Sequence, residues 1–204
     1  MIRACLRYNA RVEMLLAIGI GVGLASVVGV RAFLLPALYA LFAASGIFDL
    51  NSVPGVAMRE WVLFGGLAGL AVLEIVVDKI KTIERVFNWI MVPIRTASGA
   101  VIFGLASGAG VALDAVPWLV AGAVIAGVVA ILKVVLRPPA RAASSGVSTS
   151  FLSFIEDAVG LVGGVLALFV PLLPVLLVAF LLFFYARIRK RRGRKFGGLR
   201  ILGD

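Results

Sequence analysis

The chain has no histidine, one cysteine, and only 10 acidic residues against 20 basic ones. Each shortage removes a class of chemistry. Without histidine, the usual general base, the commonest metal ligand and the side chain that titrates near neutrality are all missing. Cys5 by itself forms neither an internal disulfide nor a thiolate cluster. Serine and lysine remain as nucleophiles, but no G-x-S-x-G or S-x-x-K run accompanies them. The expectation is a protein that is not an enzyme, with no catalytic residue and no cofactor. Composition leaves open whether its carboxylates take a metal.

Polarity is scarce as well. Apolar residues make up 62% of the 204 positions and the mean hydropathy is +1.13, where soluble domains use roughly half apolar residues. A soluble fold cannot cover that much apolar surface, whereas a bilayer removes the need to. The fold class is therefore all-α, a polytopic transmembrane helical bundle, with residues 1–186 as a single transmembrane domain.

The formal charge of +10 resembles a nucleic-acid signal until it is mapped. Eight of the 20 basic residues fall between Arg187 and Arg200, so 187–204 reads as a polybasic cytoplasmic tail. Such a run directly after a membrane segment anchors topology and attracts anionic headgroups, at about 1 kcal/mol per residue near the surface. Membrane lipids are the expected partners, and nucleic acid is not. At the other end Arg3, Arg7 and Arg11 imitate a signal-peptide n-region. The apolar run that follows continues to Ala44 without a cleavage signal, which marks a retained signal anchor.

About 20 apolar residues cross the hydrocarbon core. The first run, Met14 to Ala44, contains Arg31 and Pro36 and reads as one broken or kinked crossing. A second spans Trp61 to Ile80, a third Pro93 to Val111, and a fourth Val116 to Leu136. Ile80 to Ile94 has helical spacing with Lys81, Glu84, Arg85 and Asn88 opposite its apolar residues. It suits an interfacial helix with Trp89 at headgroup level, or an extension of the second span. Basic excess places 1–13, 79–95 and 133–150 in the cytoplasm. The last run, Phe151 to Ala186, must then return the chain to that side, and Pro171 and Pro174 divide it into two short helices. About six spans follow, with Pro-interrupted first and last segments and both termini cytoplasmic.

Ionised groups inside a span cost roughly 2.5–3.5 kcal/mol each on insertion scales and call for a partner or a polar cavity. Arg31 lies within the first run. Glu74 and Asp78 share one helical face, four residues apart, and Lys79 snorkels from the end of that span. Arg95 enters the third span beside Thr96 and Ser98, and Glu156 and Asp157 open the fifth. One polar cluster in the cytoplasmic half is expected, with Arg31 touching at least one of Glu74, Glu156 or Asp157. It serves either as an ion or substrate site or as a set of ion pairs that fix helix register.

Glycines recur four apart at Gly19 and Gly23, Gly65 and Gly69, Gly104 and Gly108, and Gly160 and Gly164. These steps allow close helix packing or contact with a second copy of the chain, as a homo-oligomer. Gly19-Ile-Gly21-Val-Gly23 has no preceding strand or Walker lysine and is not a nucleotide loop. Gly23-Leu-Ala-Ser26 recurs at Gly104-Leu-Ala-Ser107, a short repeat of common residues. Interrupted runs near both ends of the chain point towards a transport site. Pro138 to Ser150, small and hydroxyl-rich, is a candidate re-entrant segment.

An ordered set of these residues resembles a known family. It comprises Gly29-Val-Arg31-Ala-Phe33, Glu74-x-x-x-Asp78-Lys79-Ile80, Arg95-x-x-x-Gly99-Ala100, and Arg141-Ala-Ala-Ser144 before Ser153-x-x-Glu156-Asp157. Together they look like the bacterial membrane-protein family called domain of unknown function 4126, over roughly residues 14–180. The chain departs from that pattern at Thr96, where a proline is expected, and in its Arg-rich tail. The resemblance implies the architecture and the charged positions, and no activity. From the residues themselves, the expected function is a small permease or channel-like transporter of an ion or small polar solute in the bacterial inner membrane. The alternative is a lipid-interacting or scaffolding protein without flux. Single cysteines placed by Ser52→Cys and Ser145→Cys should label from opposite sides of the membrane. Labelling of both from one side would refute the span assignment.

Overall fold

Once a backbone leaves water, every N–H and C=O needs a partner, and a helix supplies nearly all of them within one segment. The computed structural model describes residues 2–47, 60–80, 83–108, 111, 113–137 and 149–197, without the side chains of 2–13, 113, 149–150, 168–169 and 191–197. The described residues form seven α-helices and one short 3-10 turn, with no strand among them. The helices are α1 (Ile2–Val30), α2 (Leu34–Ala44), α3 (Glu60–Asp78), α4 (Glu84–Ala106), α5 (Val116–Leu136), α6 (Thr149–Phe169) and α7 (Leu173–Gly197). By length and composition α3, α4 and α5 can each cross a membrane, and Met14–Val30 and α2 are shorter apolar helices. The chain is a membrane-type helical bundle.

Prolines set the breaks. Pro36, Pro117 and Pro174 fall in the first turns of α2, α5 and α7, where the missing N–H has no intrahelical role. Pro171 lies in the α6–α7 turn. Gly46 and Gly108 close α2 and α4 with φ of 76° and 72°, left-handed conformations open to glycine at little cost.

The sequence expectation of a separate interfacial helix over Ile80 to Ile94 is corrected. α4 is one helix that begins at Glu84 and passes through Pro93 to Ala106. Its faces are also the reverse of a surface helix. Glu84, Asn88, Met91 and Arg95 are buried, while Val86, Trp89 and Ile90 are exposed. The apolar face points outward and the polar one into the bundle.

A second correction concerns direction. Gly19 and Gly23 of α1 lie against Pro171 in the α6–α7 turn, and Arg31 just past the end of α1 meets Asp78 and Glu156. From that same turn α7 runs to Tyr185, which bonds Glu156. Helices α1 and α7 are thus parallel. Their described ends therefore lie at opposite ends of the bundle, unlike the expectation of two termini on one side. The cause is α2, which returns alongside α6 and α1. Leu34 and Leu35 lie against Gly160 and Gly164, and Leu35, Leu38 and Phe42 face Leu24. Its 11 residues rise only about 16 Å, too little to count as a span by length. The other six described helices are 19 to 29 residues long, and α2 adds a short return leg.

α1 is the central helix, packed on α2, α4, α5, α6 and α7. Its Leu24, Ala25, Val27, Val28 and Val30 are no more than 1% exposed. α4 and α5 approach most closely where a Cβ at Gly99 would strike Ala126, and one at Gly122 would strike Phe103 and the Gly99 carbonyl. The paired glycines divide by role. Gly19 with Gly23, and Gly160 with Gly164, seat other parts of the bundle, whereas Gly65 and Gly69 face open space. Gly122→Val should therefore lower the thermal unfolding temperature sharply. Gly65→Ala should leave it equal or raise it, by up to about 1 kcal/mol of helix propensity. Equal effects from the two substitutions would contradict this packing.

Candidate functional site

At one end of the bundle α3 and α5 terminate, α4 and α6 begin, α7 passes through, and α1 breaks into α2. Polar side chains concentrate there. Arg31, Arg95, Lys133 and Glu156 are 0% exposed, Glu74 and Asp78 2%, and Asn88 3%. Burying so many charges is tolerable only if each finds an opposite charge or a backbone dipole.

The break supplies the dipoles. α1 ends at Val30, whose carbonyl accepts a hydrogen bond from Lys133 Nζ at 2.8 Å. α2 begins after Phe33, and the Ala32 and Phe33 amides each donate to a Glu74 carboxylate oxygen at 3.2 Å. A cation therefore meets the negative end of one helix and an anion meets the positive end of the next, as the helix dipole favours. Phe33 has no side-chain cap of its own, so the capping group comes from α3. Arg95 Nη2 then donates to Glu74 at 3.1 Å and to the Asn88 side-chain oxygen at 3.2 Å.

A second tier surrounds Asp78 and Glu156. Arg137 Nη1 reaches Asp78 Oδ1 at 3.0 Å and Glu156 Oε1 at 3.0 Å, and its Nε lies 2.8 Å from Glu84. Lys133 Nζ sits 2.8 Å from Glu156, and the Tyr185 hydroxyl donates to the same carboxylate. Asn88 and Ser153 donate to Asp78 at 2.9 and 3.1 Å. Arg31 Nη2 lies 3.1 Å from Asp78, 3.6 Å from Glu156 and 2.6 Å from Asp157. The contact with Asp157 is ionic and off the hydrogen-bond direction, and that carboxylate is the most open of the three, at 20%.

Spare bonding capacity lies mainly with the cations, Asp157 Oδ1 being the one buried carboxylate oxygen without a hydrogen-bond partner among the described residues. Arg31 Nε and Nη1, Arg95 Nε and Nη1, and Arg137 Nη2 are buried without a hydrogen-bond partner among the described residues. The carboxylates of Glu74, Asp78 and Glu156 are occupied. No group of three His, Cys, Asp or Glu residues is arranged to hold a metal ion among the described residues. A cleft of about 480 Å³ between α4, α5 and α7 reaches the cluster at Glu84, Asn88 and Arg137.

All six singled-out residues, Arg31, Glu74, Asp78, Arg95, Glu156 and Asp157, meet in this region. Glu74 serves the helix break and Arg95, while the carboxylates nearest Arg31 are Asp78, Glu156 and Asp157. Sequence reasoning placed Lys133 and Arg137 in a cytoplasmic loop as topology charges and passed over Glu84, Asn88, Ser153 and Tyr185 as partners. A signal for Lys133 was present. Gly122, Ala126, Ala130 and Lys133 form the one buried face of α5, so the lysine continues a stripe of small, inward residues. Lys79 is exposed, as snorkelling implies. The re-entrant candidate Pro138 to Ser150 and Arg141 to Ser144 lie outside the described residues, except that α6 already includes Thr149 and Ser150.

Removing one partner from such a pair leaves the other charge buried. Glu74→Gln should cost about 3–5 kcal/mol, because it weakens the α2 cap and strands Arg95 together. The double variant Glu74→Gln with Arg95→Gln should cost clearly less than the sum of the singles, and Lys79→Gln should leave stability unchanged. Chemical unfolding in detergent measures all four, and strict additivity would show that Glu74 and Arg95 are not coupled.

No curated protein and no solved structure matches the chain. A family model described as Domain of unknown function (DUF4126) matches residues 18–191. That match takes in the helix break, the whole charged cluster and most of α7, and the chain belongs to this family.

Proposed function

We propose that the protein is a small permease or channel-like protein of the cytoplasmic membrane that moves an ion or small polar solute. The observation that carries this reading is the break at Arg31–Phe33. It is held open inside the bundle by Lys133 and Glu74, beside buried guanidinium N–H groups that lack partners among the described residues. Unwound backbone flanked by half-helices is how membrane transporters present backbone and dipole to a solute. The carboxylates hold the cations in place, and the cations hold the unused donors. A solute with acceptor oxygens, above all a small anion, fits that inventory better than a bare cation does. Excess basic charge at the cluster end, from Lys79 and Arg85 to Arg187 and Lys190, supports a cytoplasmic position for that end. Since α1 and α7 are parallel, the C-terminus is then inside and the N-terminus outside.

A lipid-interacting or scaffolding role without flux is the second reading, and α3 favours it. That helix exposes Trp61, Val62, Val72, Leu73 and Val76, with Gly65, Gly66 and Gly69 open between them, a face suited to lipid or to a second copy of the chain.

Reconstituted liposomes should show uptake of at least one member of a panel of small anions, cations and polar solutes above protein-free vesicles. Arg31→Lys keeps the charge but removes the planar fork, and should reduce that uptake at least about tenfold while the protein still unfolds cooperatively. Wild-type flux equal to that of empty vesicles across the panel would favour the scaffold.

A further inference from the structure

The cleft between α4, α5 and α7 carries chemistry that the transport reading does not use. Its walls include Arg85 and Trp89 from α4, Arg137 after α5, and Arg189 from α7, with Glu84 and Asn88 at its base. Arg85 and Arg189 are exposed and make no ion pair among the described residues. Arg189 donates to the Val135 carbonyl, which fixes its side chain across the α5–α7 seam. Arg137 is buried, with its side chain 6% exposed, and its Nη2 has no hydrogen-bond partner among the described residues. Glu84 is the single carboxylate in the wall and lies 2.8 Å from Arg137 Nε. Arg137 is balanced by Glu84, Asp78 and Glu156, so Arg85 and Arg189 bring the excess charge that makes this a basic recess. Guanidinium forks match the oxygens of a phosphate.

The surroundings decide which phosphate. The rim continues into an apolar surface, where Val86, Trp89 and Ile90 of α4 are 61, 52 and 57% exposed and Val135 of α5 is 46% exposed. An exposed tryptophan beside arginines, at the end of membrane-type helices, marks headgroup depth. A ligand seated here would have its charged group among the arginines and an apolar part along α4. A free anion would leave that second surface unused. We propose that this cleft is a headgroup site for one anionic phospholipid, its phosphodiester held by Arg85, Arg137 and Arg189 and an acyl chain lying along Val86 and Ile90. The site does not depend on transport and stands or falls separately from it.

Native mass spectrometry of the full chain, released from phosphatidylcholine bilayers containing a minor fraction of phosphatidylglycerol, tests the assignment. Wild-type protein should retain phosphatidylglycerol in preference to phosphatidylcholine. The double variant Arg85→Gln with Arg189→Gln should lose about tenfold or more of that retention. Arg187→Gln, which removes another exposed cation outside the cleft, should retain it nearly as wild type does. Equal loss in Arg187→Gln would mean diffuse attraction to the basic helix end and would overturn the site. So would the absence of any preference for the anionic lipid. Displacement of phosphatidylglycerol by millimolar inorganic phosphate would reassign the cleft to a free anion and defeat the lipid proposal. If the double variant fails to fold, wild-type fluorescence provides the test. Spin-labelled phosphatidylglycerol headgroups should quench emission more than spin-labelled phosphatidylcholine does, and Trp89→Phe should remove that difference. An unchanged difference in Trp89→Phe would overturn the proposal.

Discussion

Two hydrogen-bonded charges at the Arg31–Phe33 break govern the rest of this molecule. A helix end inside a bundle leaves several backbone groups without partners, and hydrocarbon offers none. Lys133 satisfies the Val30 carbonyl and Glu74 satisfies the Ala32 and Phe33 amides. Those two side chains come from α5 and α3, so the break is satisfied only with both helices packed against it. Each of them then needs a counter-charge, which brings in Glu156 and Arg95. The ion network grows outward from the break by the same requirement applied repeatedly.

This order explains the bundle's unequal ends. At the far end small residues and proline pack against α1 without charge, as where Gly19 and Gly23 receive Pro171. At the cluster end buried charged and polar side chains gather among apolar neighbours such as Val30, Ala130 and Leu152. Gly160 shows how the two kinds of packing join, since its missing side chain leaves room for Leu34 and the stem of Arg31. Close packing and charge burial are therefore one design problem here. The helices must approach closely for the ion pairs to be short, and glycine and alanine permit that approach.

The network has one asymmetry with chemical meaning. Among the described residues the carboxylates of Glu74, Asp78 and Glu156 are occupied and only Asp157 Oδ1 is not, whereas all three guanidinium groups keep unpartnered N–H groups. Buried donors without acceptors are costly, so the spare N–H groups of Arg31, Arg95 and Arg137 define where an acceptor gains most. Two of these arginines face the helix break, and the third borders the cleft of about 480 Å³. A site for a solute and a site for a lipid phosphate thus draw on opposite edges of the same cluster, joined through Asp78, Asn88 and Glu156.

Sequence by itself determined the class and most of the elements. Apolar runs near span length have one backbone solution in lipid, so helices over α3 and α5 follow from length and hydropathy. Charges inside such runs must be paired, so Arg31, Glu74, Asp78, Arg95, Glu156 and Asp157 were legible as members of a polar region. What sequence could not supply was direction and partnership. An 11-residue leg after a break reads equally as the rest of a kinked span or as a return, because length alone carries no sign. Only the packing of Leu34 and Leu35 on Gly160 and Gly164 decided that α2 turns back, so that the described ends of α1 and α7 leave the bundle at opposite ends. Partnership was hidden for a related reason. Lys133 and Arg137 look like loop charges until α5 is set against α1 and α6, and Glu84 and Asn88 look like a solvated face until α4 is turned inward. A one-dimensional pattern shows that a charge needs a partner, and tertiary structure chooses which one, because the choice depends on helix rotation and depth.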